Sequence, residues 1–176
     1  DKVGADIAQA EDPEDIAAMA KGIASVVRSA GPGCLGLEEV RGVTALAVSE
    51  ILKSLQREEA MQAEEGDAEE DDGVDEDDLD LALADAGLDL TEERECRSGL
   101  SSILAACLRT DADAFLAAAM PTLEPLMRQW LAGPGPGRVL GLSLACGLCE
   151  HVGEPASEAW PIFMEQVMEA ADSADA

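Results

Sequence analysis

The chain has 176 residues, enough for one domain with a substantial core, and a formal net charge of −27. Nucleic acid and anionic membrane surfaces are disfavoured as direct partners, because the Lys and Arg clusters that bind phosphate groups are missing. Hydrophobic residues make up 47% of the chain but aromatic residues only 2%, so Ala and Leu supply most of the apolar surface. This composition favours helices over sheets.

No apolar run reaches the roughly 18 residues that a membrane-spanning helix needs. The chain has no signal peptide and no initiator Met, so we expect a fragment of a longer protein. Its five cysteines are an odd number and lie mostly in apolar helical stretches. That pattern is typical of reduced thiols in a cytosolic or nuclear protein rather than of a disulfide framework.

Apolar residues recur at spacings of three and four on both sides of a long acidic stretch, which predicts helices. The predicted helices cover 13–30, 37–56, 91–109, 113–132, 138–152 and 157–171. Asp12 is a suitable N-cap for the first helix, with Pro13 at its first position, and Gly31 is a suitable residue to end it. Pro121 and Pro125 lie inside the fourth helix, which we therefore expect to be kinked or broken into two pieces. No segment predicts a strand.

Between Arg57 and Arg94 the chain carries no positive charge and holds 18 of its 38 acidic residues. Mutual repulsion and the scarcity of apolar side chains predict a disordered, solvated insert over residues 58–90. Helical repeats are expected on either side of it, over 1–57 and 91–176. The candidate residues for binding a basic partner are Glu64, Glu65, Asp67, Glu69, Glu70, Asp71, Asp72, Asp75, Glu76, Asp77, Asp78 and Asp80. The alternative is that the insert is only a solvated linker.

Taken in pairs, the helices repeat about every 40 residues once the insert is removed. This period is typical of HEAT-type helical hairpins, which bury their apolar faces by stacking into an α-solenoid. The predicted fold class is therefore all-α, with about six helices in antiparallel hairpins that belong to one larger solenoid. A simple helical bundle remains the alternative on periodicity alone.

Four stretches carry a characteristic order of features: AGPGCLGLEEV (30–40), PTLEPLMRQWL (121–131), RVLGLSLACGLCEHVG (138–153) and AWPIFMEQVME (159–169). This order resembles the C-terminal HEAT repeats of importin-β-type karyopherins, most of all the importin-5 branch. That branch has an acidic insertion within one repeat, followed by a Pro-containing helix and a helix with a Gly-Leu pair that ends in Glu-His. Gly141-Leu142 and Glu150-His151 match the last of these features.

The resemblance implies a nuclear transport receptor that carries basic cargo such as nuclear-localisation signals, ribosomal proteins or histones. Such receptors shuttle between cytoplasm and nucleus, contact FG nucleoporins and release cargo when the Ran GTPase binds, here mainly through parts of the protein outside this chain. The resemblance also places helices 13–30, 91–109 and 138–152 on the concave face. It places helices 37–56, 113–132 and 157–171 on the convex face.

The concave helix 138–152 departs from the family, which usually has a Trp at the position of Leu140 and adjacent acids at Cys146 and Gly147. The acidic insert is therefore the better candidate for contact with basic cargo. The alternative function is that of a HEAT-repeat scaffold, or an acidic module that binds histones or other basic proteins without transport.

We expect no catalysis, no cofactor and no metal site. Cys146 and Cys149 form a CxxC pair without a second half-site for zinc, which favours packing between helices. His151 lies where a helix is expected to end and suits the helix dipole there. Neither Gly66 nor Gly73 gives an EF-hand spacing, and no phosphate-binding loop is present. Trp130 and Trp160 are expected to pack in the core or to line an FG-binding groove.

Overall fold

The computed structural model describes Ile7, Ala10, residues 12–68 and 76–152, Met164 and Met168. Within the two long ranges, side chains are described for residues 12–63 and 87–152. The helices are α1 (Pro13–Ala30), α2 (Leu37–Ala68), α3 (Glu76–Thr110), α4 (Ala112–Ala132) and α5 (Pro136–Val152). The described residues contain no strand, which agrees with the predicted all-α class. None of these helices combines the length and the apolarity that a membrane span requires.

Local signals define both ends of α1, as the sequence predicts. The Asp12 carboxylate accepts a hydrogen bond from the Glu14 backbone N–H at 2.8 Å, and Pro13 occupies the first turn. Gly31, with φ of 80°, ends the helix and donates its N–H to the Val27 carbonyl at 3.3 Å. A side chain is strained at that φ, so glycine is the suitable residue here.

α4 is one continuous helix, although the sequence predicts a kinked or broken one. Pro121 and Pro125 both lie inside it and are both exposed. They are four residues apart and so share one helix face. The carbonyls that lose their hydrogen-bond donors therefore face solvent, and water can satisfy them without breaking the helix.

α2 and α3 extend well beyond their predicted bounds. α2 continues from Gln56 to Ala68, and α3 begins at Glu76 rather than at Thr91. The disordered insert expected over residues 58–90 is therefore not confirmed where the chain is described, and residues 69–75 lie outside the described part. Glu, Ala and Leu, which are frequent in these extensions, have high helix propensity. The acidic residues that begin α3 also interact favourably with its N-terminal dipole.

The helices form two layers. α1, α3 and α5 pack side by side in one layer, and α2 packs beside α4 in the other. The layers are joined where α2 packs against α3 and α4 packs against α5. This alternation is compatible with an α-solenoid. The sixth predicted helix lies outside the described residues except for Met164 and Met168, which are helical and exposed.

α1 and α3 run in the same direction and approach each other closely. Pro13 and Glu92 line one hollow near the beginning of α1, and Ala17 lies beside Gly99 further along. A Cβ atom at Gly99 would lie 2.9 Å from the Ala17 carbonyl oxygen, so no larger residue fits there without moving a helix. The apolar core lies between the layers, and its largest fully buried side chains include Ile16, Ile51, Leu100, Ile103, Leu104, Leu108, Phe115, Leu123 and Met127.

Candidate functional site

The predicted cargo-binding residues lie beyond the part of the chain whose side chains are described. Backbone helix is described for seven of them, at the end of α2 and the start of α3: Glu64, Glu65, Asp67, Glu76, Asp77, Asp78 and Asp80. The remaining five, Glu69, Glu70, Asp71, Asp72 and Asp75, lie outside the described residues. The described side chains nearest to the acidic segment therefore lie where α2 enters it and where α3 leaves it.

At that point α2 and α3 are joined by a group of buried and partly buried polar side chains that we call the stem network: Ser54, Arg57, Glu58, Glu93 and Arg97. The Arg57 guanidinium donates two hydrogen bonds to the Glu93 carboxylate, the second from Nη2 to Oε2 at 3.0 Å. Arg97 forms an ion pair with Glu58 and donates to the Ser54 hydroxyl at 3.0 Å. The Ser54 hydroxyl in turn donates to the Glu93 carbonyl at 3.3 Å.

The stem network is shielded from water except at Arg57, whose side chain is 37% exposed. The side chains of Glu93, Arg97 and Glu58 are 3%, 4% and 9% exposed, so their charges depend on each other rather than on water. The hydrogen bonds that Arg57 donates to Glu93 raise the pKa of Arg57, so its guanidinium stays charged at any physiological pH. Glu58 Oε2 contacts Arg97 without an aligned hydrogen bond. The network fixes how α2 and α3 sit against each other at the base of the acidic segment.

Beside the stem network lies an acidic hollow of about 340 Å³. Its lining residues are Pro13, Arg57, Ala60, Met61, Asp89, Glu92 and Glu93. Partial desolvation raises the pKa of Glu92, and the nearby carboxylates Asp12, Asp89, Glu14 and Glu93 raise it further. Arg57, the cation that lines the hollow, is engaged by Glu93. The hollow therefore presents excess negative charge, which a cation from outside can offset.

A second cavity, of about 650 Å³, lies between α3 and α5, and we call it the α3–α5 groove. Its lining residues are Glu58, Arg94, Arg97, Ser98, Ser101, Ser102, Ala105, Gly135, Pro136, Val139, Leu140 and Ser143. Glu58 is the one carboxylate in this lining, and it is paired with Arg97. Because serines and the exposed Arg94 occupy the rest of the polar surface, this groove does not attract basic segments.

The resemblance to karyopherins leads one to expect a Trp and two acids at three positions of α5, and the residues found there have different surroundings. Leu140 is buried and belongs to the core, and Gly147 lies against Leu108. Cys146 is exposed, as is Cys149. The interpretation of this cysteine pair as packing between helices is therefore wrong for the described part of the chain, because the apolar contacts of α5 are made by other positions on the helix.

Two further cysteines, Cys96 and Cys107, are buried, and the histidine lies at a helix end. Burial raises the pKa of Cys96 and of Cys107 to about 11, so both are protonated thiols at neutral pH. His151 lies in the last turn of α5, as predicted, with its Nε2 3.7 Å from a Glu150 carboxylate oxygen. In the described part of the chain no three His, Cys, Asp or Glu side chains are grouped to hold a metal ion.

Trp130 packs where α4 turns into α5. It is buried, and a Cβ atom at Gly137 would lie 3.2 Å from its Cδ1 atom. This contact supports the prediction of a packing role for Trp130, while Trp160 lies outside the described residues.

Sequence reasoning placed the site in the acidic segment and missed the stem network and the hollow. One signal was available, since Ser54 and Glu58 continue the apolar spacing of Ile51 along α2. Polar residues at such positions face a neighbouring helix and need partners there. The hollow could not be predicted in this way, because its charges come from three separate helices.

Comparisons with known proteins identify no relative. No protein-family model matches the chain, and neither the curated proteins nor the solved structures include a significant match. Function is therefore inferred from the charges of the described residues and from the order of sequence features.

Proposed function

We propose that this chain binds basic segments of partner proteins, as part of an importin-β-type nuclear transport receptor built from stacked HEAT-type hairpins. The observation that carries the binding proposal is the acidic hollow. Partial desolvation, together with repulsion by carboxylates of α1 and α3, raises the pKa of Glu92 there, and Arg57 is already engaged by Glu93. A lysine or arginine side chain that enters the hollow relieves this repulsion.

The acidic segment extends the same negative field. Acidic residues follow the stem network along both α2 and α3, so a basic partner meets excess negative charge before it touches the hollow. Such a field is screened beyond about 8 Å at physiological salt and acts mainly on the rate of encounter and on weak affinity. The hollow supplies short-range contacts, and the stem network holds both features in one geometry.

The charge distribution also argues for where a basic partner does not bind. The α3–α5 groove offers serines, Arg94 and the neutral pair of Arg97 with Glu58. α5 has Cys146 and Gly147 where the family usually has acids. The proposed site is therefore at the base of the acidic segment and along it, away from α5.

The transport proposal is supported by the resemblance to the importin-5 branch and by the arrangement of the helices. The described layers alternate as a stack of helical hairpins would, and the acidic residues lie between the two helices of one hairpin, α2 and α3. In that arrangement α1, α3 and α5 form the concave layer, and α2 and α4 form the convex layer. Cargo release by Ran and contact with FG nucleoporins follow as further parts of the proposal.

The binding proposal is tested on the full-length protein with a lysine-rich peptide, by fluorescence anisotropy at about 50 mM and at physiological salt. We expect the variant Asp89→Asn with Glu92→Gln to bind roughly tenfold more weakly at low salt, equivalent to about 1.4 kcal/mol. The matched control, Glu38→Gln with Asp113→Asn, removes two exposed charges at the starts of α2 and α4 and should bind as the unaltered protein does. Equal losses in both variants would contradict a site at the hollow.

The acidic segment is tested separately by deleting residues 64–80. We expect weaker binding of the same peptide, with the largest loss at low salt. A variant in which residues 64–80 are shuffled, with composition unchanged, should keep most of the affinity because the field does not depend on their order. Unchanged affinity of the deletion variant at about 50 mM salt would refute a binding role for the segment.

The transport proposal requires Ran. The full-length protein, loaded with basic cargo on beads, should release it when GTP-loaded Ran is added and keep it when GDP-loaded Ran is added. It should also retain FG-repeat peptides. Cargo that stays bound in the presence of GTP-loaded Ran would overturn the transport proposal and leave binding of basic segments, in which case a scaffold or basic-protein binding module is the better description.

A further inference from the structure

Two exposed cysteines lie close together on α5, apart from the acidic hollow. Cys146 and Cys149 are both exposed and are three residues apart in the helix. Helix geometry places the Cα atoms of such a pair about 5 Å apart on neighbouring positions of one face. Exposed side chains on a helix can change rotamer freely, so the two sulfur atoms can turn toward one shared atom.

Two thiolates so close to each other repel, and a cation between them removes that repulsion. In the described part of the chain no third His, Cys, Asp or Glu joins the pair in a group that could hold a metal ion.

We propose that Cys146 and Cys149 form a two-thiolate site for a soft monovalent metal ion of the Cu(I) type. Soft thiolate ligands select Cu(I) among biological metals, whereas a structural zinc site needs four ligands. On binding, each thiol releases one proton and each sulfur forms one bond to the ion, which leaves its previous soft ligands without a change of oxidation state. The site is independent of the binding of basic segments.

The site is tested under anaerobic, reducing conditions with Cu(I) supplied as a complex with a chromogenic chelator. We expect the chain to remove one equivalent of Cu(I) from the complex, which is read from the loss of the chelator colour. Cys146→Ser and Cys149→Ser should each weaken uptake at least tenfold. Cys34→Ser is the matched control, because Cys34 is the third exposed cysteine, and it should not change uptake.

Circular dichroism of each variant checks that helicity is retained, which is expected for substitutions at exposed positions. Uptake that survives in the variant lacking both Cys146 and Cys149, or that is lost in Cys34→Ser, would overturn the proposal. So would a chain that leaves the Cu(I) on the chelator.

Discussion

The stem network predicts an unusually large loss of stability when Arg97 is replaced by methionine. Arg97 is 4% exposed, and its guanidinium contacts both the Glu58 carboxylate and the Ser54 hydroxyl. In Arg97→Met the Glu58 carboxylate stays buried without a cation, and removing one partner of a buried pair lowers the free energy of unfolding by about 3–5 kcal/mol. Because the free energy of unfolding of a domain is about 5–15 kcal/mol, this loss is a large fraction of the total stability.

Two further variants separate the loss of charge pairing from the loss of packing. Adding Glu58→Leu to Arg97→Met removes the unpaired charge, and Ser54 keeps its hydrogen bond to the Glu93 carbonyl. We expect this double variant to recover most of the stability. Arg128→Met is the matched control, because Arg128 pairs with Glu124 at 2.7 Å with side chains 45% and 41% exposed. It should cost less than about 1 kcal/mol.

Urea denaturation followed by far-ultraviolet circular dichroism measures all three free energies of unfolding. The expected order of stability places Arg128→Met first, the double variant second and Arg97→Met last. If Arg97→Met is as stable as Arg128→Met, the Arg97–Glu58 pair is not dry. If the double variant is less stable than Arg97→Met, packing of the arginine, and not charge pairing, accounts for the loss.

Two other predictions concern the contact of α1 with α3 and the buried thiols. Gly99→Ala should destabilise the protein by about 1–3 kcal/mol in urea denaturation, because its Cβ would press on the α1 backbone, whereas Gly22→Ala, which meets nothing within 4 Å, should stabilise it by up to about 1 kcal/mol. Cys96 and Cys107 have pKa values of about 11 in the folded state and a usual value of 9.0, so the unfolded state loses its protons first as pH rises. Their stabilisation is fully present below pH 9 and should fall between pH 9 and about 11 by about 1.4 kcal/mol per pH unit for each thiol, measured as the pH dependence of urea unfolding. Cys96→Ala with Cys107→Ala should flatten this slope, and an unchanged slope would contradict the assignment.

Local signals in the sequence were sufficient for most of the helices and their order. Asp12, Pro13 and Gly31 define both ends of α1 because capping depends on residues within one turn. The predicted break between helices 91–109 and 113–132 is confirmed at Asp111, whose carboxylate accepts a hydrogen bond from the Ala114 backbone N–H at 3.0 Å.

The lengths of α2 and α3 could not be predicted in this way. Charge repulsion predicts disorder over residues 58–90, whereas helix propensity and contact with a neighbouring helix favour order, and the sequence does not say which is stronger. The pairing of Arg57 with Glu93 joins α2 to α3 at the predicted end of α2 and the predicted start of α3. This pairing becomes visible only when the relative position of the two helices is known.

The position of the acidic segment was predictable, but the shape of the candidate site was not. A run of acids can be read directly from the sequence, whereas the hollow also depends on Asp12 and Glu14 at the start of α1. These residues lie near enough to Glu92 to raise its pKa because α1 runs parallel to α3 in the same layer. Sequence periodicity gives the apolar face of each helix but does not give which helices share a layer.

Buried ion pairs add little net stability compared with well-packed apolar residues, so the stem network needs another explanation than stability. In one of its two ion pairs α2 supplies the cation, because Arg57 faces Glu93 of α3. In the other α2 supplies the anion, because Glu58 faces Arg97 of α3. A slip of α3 by one turn in one direction would bring Arg57 against Arg97, and a slip in the other direction would bring Glu58 against Glu93. Either slip buries like charges, which the interior does not tolerate. The network therefore specifies one register of α3 against α2. That register also fixes how the acidic end of α2 and the acidic start of α3 are placed relative to each other.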